Sequence, residues 1–515
     1  MATKATRAAK PSKAAPSSKP APSKAAPTKP APSKAAPTKA APTKAAPSKV
    51  TQAAKLAKQP VDRALNPAQV KKFVDALRAR GIHNAKIGAF DLDGILRGKY
   101  VSLSKLESCL KSGFGFCDVV FGWDVNDALY DNAQLTGWHT GYPDALAVLD
   151  PGTVRDIPWE PGVAALLGEF RTAHGAGHPA CGRSLLKRVL ARAAAAGFEP
   201  IFGVECECFL FRETAQSLVE KGYRGLTPAD PGMFGYSWLR SGQSAELMRD
   251  ILRQMAALGI PLEGLHTETG PGVYEAALHA HGALEAADQA ALFKTSLKEL
   301  VSRHGFTATF MAKWNAELPG CSGHLHQSLL RDGENVFYDP RGPRGLSSVM
   351  RSYMAGQLKL MRELTALYSP TVNSYKRYVP GLWAPLVPSW GVENRTCALR
   401  LVGLGDPSAQ RVEYRQTAAD INPYIAIATS LAAGLYGVEQ ELQLGPETLG
   451  DPGVEGERLP TTLREATSLL ERSEVARELL GDAFVEHYVR TRDWECREYE
   501  RSVSDWELRR YFEII

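Results

Sequence analysis

The sequence predicts a mixed α+β fold behind a basic tail. Three observations carry this. Segments with helical apolar spacing alternate with short apolar strands, the pattern of a sizeable sheet with helices packed on it. No run of 18 or more apolar residues occurs in the 515 residues, so no membrane-spanning segment is expected. The composition also changes abruptly near residue 60: residues 1–60 hold 12 Lys, 1 Arg and no Asp or Glu. The whole chain carries +5, so the rest of it carries −8 and the mildly basic balance averages two unlike parts.

The tail repeats K-A-A-P-[ST]-K loosely. It lacks the apolar residues that offset chain entropy, so residues 1–62 are expected to be disordered, kept extended by Pro and like charges. It resembles the Ala/Pro/Lys-rich tails of linker histones. One reading is an arm for polyanions or nucleic acid through counterion release. The plainer one is a solubilising spacer, since nothing in it reads base sequence. An organellar transit peptide fits less well, because the tail is rich in Lys and Pro, not Arg, and is not amphipathic. No apolar segment follows the basic start, so secretion is not expected. The eight Cys have no zinc-site spacing, and the default is free thiols in the cytoplasm.

A helix is predicted from Asn66-Pro67, with Asn66 as N-cap, Pro67 at the first helical position and Val70, Phe73, Val74 and Leu77 on one face. Lys86–Asp93 reads as a strand entering a turn at Asp93-Gly94, and Ala145–Asp150 as a strand stopped by Pro151-Gly152. Residues 63–165 could thus form a small α+β unit, with a larger one at 175–515. There the pattern predicts a helix over 183–195, a strand over 199–211, helices over 243–258 and 280–304, and a strand over 307–313. Further helices are predicted over 346–368, 421–440 and 460–480.

The strongest local signal is Val204-Glu205-Cys206-Glu207-Cys208. Alternate residues of a strand share a face, so Glu205 and Glu207 point one way and the two Cys the other. Like charges side by side repel unless something neutralises them. An edge strand with two solvated Glu is the bland alternative. His266, Glu268 and Glu275 follow, then Gly323-His324-Leu325-His326, then Arg411-Val412-Glu413-Tyr414-Arg415. Five carboxylates with a His suit a hard cation such as Mg2+ or Mn2+ and not a thiolate zinc site. Surplus Arg beside them suits phosphate and carboxylate ligands.

Over residues 70–515 the chain resembles the glutamine synthetase family. The resemblance rests on the E-x-E strand, H-x-E, Phe310–Lys313, S-G-H-L-H, Asn373–Arg377, Trp390-Gly391, Asn394-Arg395, R-V-E-Y-R and Asp420–Tyr424. It implies a β-grasp-like N-terminal domain, and a catalytic domain with a curved antiparallel sheet and helices. It implies ATP, two or more Mg2+ or Mn2+ ions, glutamate and an amine, with the acyl phosphate of glutamate as intermediate. Glu207, Glu268 and Glu275 match ligands of the metal that orients glutamate, and Glu205, His324 and Glu413 ligands of the metal on the ATP phosphates. Arg377, Arg415 and Gly320 match glutamate binders. Arg395 and Arg400 match residues on the transferring phosphoryl group and nucleotide phosphates, with His266 near them. His326 orients the loop. The resemblance also implies a ring-shaped homo-oligomer, two stacked hexamers with active sites between subunits.

Three departures fall at the acceptor and glutamate ends. Trp383 stands six residues after Arg377, where the family places a Glu that helps deprotonate ammonium. An indole is no base, but it can pack on an alkyl chain or hold a cation. An amine larger than ammonia, such as a polyamine or ethanolamine, is therefore expected. The alternatives are a shifted loop in which Glu393 supplies the charge and ammonia is used, or a non-catalytic scaffold with a nucleic-acid-binding tail. Pro319-Gly320 replaces Asn-Gly, and Val273 replaces a common Gln. The family's Asp-Gly-Ser-Ser segment is missing, with Asp124 or Asp127 as its counterpart.

Overall fold

Asn66 starts the first helix as expected. Its side chain accepts the Gln69 N–H while Gln69 reaches back to the Asn66 N–H, and the helix Pro67–Ala79 buries Val70, Val74 and Leu77. The computed structural model describes residues 65–454 and 456–515; the expectations for the tail lie outside the described residues. Six strands follow the helix: β1 (Asn84–Phe90), β2 (Leu96–Ser102), β3 (Phe114–Cys117), β4 (Asp144–Leu149), β5 (Arg155–Asp156) and β6 (Val163–Arg171). They form one sheet in the order β2-β1-β6-β4-β3, with β5 on β6. β1 and β6 run parallel and the other pairs antiparallel. The boundary expected at 165 falls inside β6.

Ten strands make the second sheet: β7 (Glu199–Phe211), β8 (Leu262–Thr267), β9 (Val273–Leu278), β10 (His281–Gly282), β11 (Thr307–Thr309), β12 (Leu325–Arg331), β13 (Glu334–Asn335), β14 (Trp390–Val392), β15 (Leu399–Val402) and β16 (Arg411–Tyr414). The order is β14-β15-β16-β12-β7-β9-β8, antiparallel except for the β14–β15 pair. β7 is the spine because 13 residues leave room for four partners in all, β9, β10, β11 and β12. Its inward residues Phe202, Val204, Cys206 and Cys208 join a core with the helices Gly182–Ala195, Ala283–Ser302 and Pro423–Glu439. All eight Cys are free thiols.

Several expected elements are shorter than the sequence pattern. The strand over 307–313 stops at Thr309. The helix over 346–368 ends at Leu360 and resumes as one turn, Thr365–Tyr368. The helix over 460–480 breaks at Ser473, whose side chain accepts the Ala476 N–H and caps a new helix. The 20-residue helix Asp482–Arg501 has no counterpart among the expected elements. Its buried face includes His487, Thr491 and Arg492, so polar residues conceal its periodicity. Among the described residues no helix is long and apolar enough to cross a membrane.

Candidate functional site

Strand register assembles the site. Glu207 on β7 lies directly across from Glu275 on β9, and His266 on β8 across from the same Glu275. On the other side, His326 on β12 pairs with Glu413 on β16, and Glu413 with Arg400 on β15. Glu205 joins the two rows. One of its oxygens accepts His324 Nδ1 at 3.0 Å and the other His326 Nε2 at 2.9 Å. Glu205 and Glu207 share a face, and Cys206 and Cys208 lie buried behind them.

The two rows form two clusters of acid and imidazole groups. Ligand atoms of His266, Glu268 and Glu275 lie within 4.8 Å of one another, as do those of Glu205, His326 and Glu413. Glu207 stands beside the first set, with both oxygens on Ser322: Oε2 accepts its N–H at 2.8 Å and Oε1 its hydroxyl at 2.7 Å. His326 completes the second set, but hydrogen bonding favours His324 as the ligand. His326 Nδ1 accepts Arg411 Nε at 3.1 Å, so its Nε2 carries the proton and donates to Glu205. His324 uses Nδ1 toward Glu205 and lies 3.5 Å from Glu413, and its Nε2 is buried with no hydrogen-bond partner among the described residues. A buried lone pair with nothing on it is what a cation would fill.

Electrostatics points the same way. Burial pushes the Glu275 carboxyl up to about 9, helped by the charges of Glu205, Glu207 and Glu268. Burial also opposes ionisation of Glu205, but the hydrogen bonds from His324 and His326 hold its carboxyl well below the ordinary range. Against burial, His324 and Arg415 bring Glu413 down to about 2, and the nearby His266 imidazole and the Thr269 N–H bring Glu268 to about 2. The chain alone therefore cannot ionise all its carboxylates at neutral pH, and the all-oxygen and imidazole donor set fits Mg2+ or Mn2+. With divalent cations chelated, stability should fall as pH rises from about 5 to about 9. Glu275 ionises early in that span when unfolded and late when folded, so the unfolded state holds fewer protons. Thermal midpoints across that range, with and without Mg2+ or Mn2+, check this; equal slopes would refute it.

The expected anion binders cluster beside these groups. Gly320 has room only for hydrogen: a Cβ there would lie 2.5 Å from the Ala312 carbonyl and 3.1 Å from Arg377 Cγ. Arg377 is buried and spends two N–H groups on the Arg415 and Gln416 carbonyls, each at 3.0 Å. Arg415 donates to Glu413 at 2.5 Å and to the Arg395 carbonyl at 3.0 Å. Arg395 is exposed, and its guanidinium has no hydrogen-bond partner among the described residues. Trp383 lies on the following loop, 61 % exposed, at φ +62°, an unusual backbone for an aromatic residue.

Other expected residues sit apart. Asp124 accepts the Asn126 and Ala128 N–H groups and Trp494 Nε1, and Asp127 pairs with Arg97. Neither touches the carboxylate clusters. Glu393 is drawn onto Arg400. Sequence reasoning missed Tyr236 and Ser322. The Tyr236 ring stacks on His266 at 4.5 Å, close to the Glu268 carboxylate. No periodicity marks the Gly235-Tyr236 turn, although an aromatic residue between Gly and Ser is a signal for a shaped loop.

The family model described as "Glutamine synthetase, catalytic domain" matches residues 179–511. The chain is 49 % identical to the type-1 glutamine synthetase 2 of Dictyostelium discoideum, over 84 % of each chain. It is 37 % identical to a glutamate–isopropylamine ligase of a Pseudomonas species, over 87 % of this chain and 99 % of that one. It is 39 % identical to the gamma-glutamylethanolamide synthetase GlnA4 of Streptomyces coelicolor, over 88 % and 98 %. A solved GmaS/ADP complex superposes with a TM-score of 0.74 at 30 % identity, over 85 % of this chain and 99 % of that one.

Proposed function

Because the chain belongs to the glutamine synthetase family, we propose that it uses ATP to join the side-chain carboxyl of glutamate to an amine larger than ammonia. Membership makes it a ligase of the acid–amine class. The observation that carries the choice of amine is Trp383, an exposed indole where the family's loop offers a carboxylate. The similarity to ligases named for isopropylamine and ethanolamide supports it.

Glu207, Glu268 and Glu275 would hold one divalent cation beside glutamate, and Glu205, His324 and Glu413 another beside the nucleotide. Such cations neutralise the charge of two anions brought together and polarise the phosphoryl group. Arg377, Arg415 and the Gly320 backbone orient glutamate. Arg395, Arg400 and His266 hold the nucleotide. The γ-phosphoryl passes to the glutamate carboxylate and ADP leaves; the amine nitrogen then attacks the acyl carbon and phosphate leaves. Trp383 commits the lone pair of its indole nitrogen to the aromatic ring and so cannot take the amine's proton. It offers a wall for an alkyl chain, or a π face for a second cation.

The second reading is ammonia as acceptor, favoured by the 49 % identity to a protein named glutamine synthetase. A panel of ammonia, alkylamines, ethanolamine and polyamines decides. The best amine should exceed ammonia about tenfold or more in kcat/KM, the discrimination a few well-placed methylenes supply. Trp383→Glu should shrink that ratio. Ammonia matching every amine would refute the larger-amine reading.

The reading extends to assembly and surroundings. A homo-oligomer of two stacked hexamers would complete each site from a neighbour, with Asp124 or Asp127 as its share. The exposed apolar C-terminus, with Phe512 81 % and Ile515 93 % exposed, offers surface for contact between copies. The first sheet with its helices is read as the β-grasp-like domain, the tail as a contact for polyanions, and the eight free thiols as suiting the cytoplasm.

A further inference from the structure

Arg400 spans from the buried carboxylates to solvent, and a different acid holds each end. Its Nη1 donates to Glu413 Oε2 at 3.0 Å, while Nε and Nη2 both donate to Glu393 Oε2, at 3.1 and 2.5 Å. The other Glu393 oxygen accepts the Gly403 N–H at 3.0 Å. The two acids differ in kind. The Glu413 side chain is sealed from water, whereas that of Glu393 is 49 % exposed and reaches in from the surface.

The backbone is bent to allow this. β14 ends at Val392, and Glu393 takes φ +53°, a region that residues with a Cβ seldom occupy. Its N–H still donates to the Leu401 carbonyl at 2.9 Å, which pins it beside β15. The groups facing its carboxylate are Arg400, the Gly403 N–H and, at longer range, Arg395.

The Nε–Nη2 edge of a guanidinium is one that takes phosphate or carboxylate in a paired fashion. On Arg400 a carboxylate already fills it. That carboxylate is held loosely, because half-exposed ion pairs contribute little in water. We propose that Glu393 is a displaceable counter-ion for Arg400. In the nucleotide-free enzyme it keeps the guanidinium edge aimed at the site, and it yields that edge to a phosphate of the incoming nucleotide. Glu393 is thus a positioning residue that sets nucleotide affinity through Arg400. The proposal rests on the reading of Arg400 as a nucleotide-phosphate residue.

The test is calorimetric titration of the full chain with Mg-ADP, without glutamate or amine, alongside steady-state kinetics. Glu393→Gln removes the charge; Glu393→Asn shortens the side chain and suits the left-handed backbone. Both should bind Mg-ADP about two- to fivefold tighter, the reach of one exposed ion pair. KM for ATP should fall by the same factor, with the change in KM and not in kcat. Combining Glu393→Gln with Arg400→Gln should give the affinity of Arg400→Gln alone. Unchanged or weaker binding in both Glu393 variants overturns the proposal, and so does tightening that survives in the double variant. Unaltered binding by Arg400→Gln alone overturns the assignment of Arg400 instead.

Discussion

Replacing Glu207 by Gln is expected to cut turnover about a thousandfold or more while the protein stays folded, because on the proposed function it removes the charge of a carboxylate that would hold a cation at the phosphoryl-transfer centre, which raises the barrier by several kcal/mol. The two parts of this expectation have separate causes. Glu207 lies across from Glu275, and its charge, with those of Glu205 and Glu268, adds to the burial that pushes the Glu275 carboxyl up, a crowding that a cation would relieve. Its shape is held by Ser322, whose N–H and hydroxyl bond its two oxygens at 2.8 and 2.7 Å. An amide keeps the volume and can still accept the N–H, so the loop Gly320–His324 stays in place. A readout besides activity follows. In chelator, Glu207→Gln should unfold at or above the wild-type midpoint, since one like charge is gone. Mg2+ or Mn2+ should raise the wild type more than the variant. Activity within tenfold of wild type would remove Glu207 from the cation-holding set.

Arg183→Met is expected to destabilise the fold by about 3–5 kcal/mol, the effect of leaving the buried Asp288 without its cation. Arg183 is 3 % exposed on the helix Gly182–Ala195, which packs against both β6 and β7. Its Nε and Nη2 bond the two oxygens of Asp288 at 2.9 Å, Nη2 also reaches Asp150 at 2.8 Å, and Nη1 lies 3.3 Å from Glu169. Asp288 further accepts the Tyr424 hydroxyl at 2.6 Å. Met fills the space but leaves Asp288, itself buried, without its guanidinium. A loss of this size is a large share of the roughly 5–15 kcal/mol that holds a protein together. The urea midpoint reports it, and adding Asp288→Asn should recover part, because the stranded charge is then removed. A midpoint within the error of wild type would mean that the network relaxes or admits water.

Much of the site was legible in the chain because strands alternate. Glu205 and Glu207 had to share a face, and β7 carries them so, with Cys206 and Cys208 in the core. Capping was legible for the same local reason, as at Asn66. The motif order identified the family, which the matching domain over 179–511 established. The helix Asp482–Arg501 was not legible, because its buried Arg492 pairs with Asp93, nearly 400 positions away.

The sequence by itself determined the chemistry available: five carboxylates, their histidines, surplus arginines and an indole at 383. Only the tertiary structure decided which of these meet. It set Glu207 across from Glu275 and gave His326 to Arg411, while His324 Nε2 has no partner among the described residues. It turned Glu393 onto Arg400 and kept Asp124 away. Strand composition restricts which face a residue occupies, but register between strands distant in sequence follows from packing of the whole sheet.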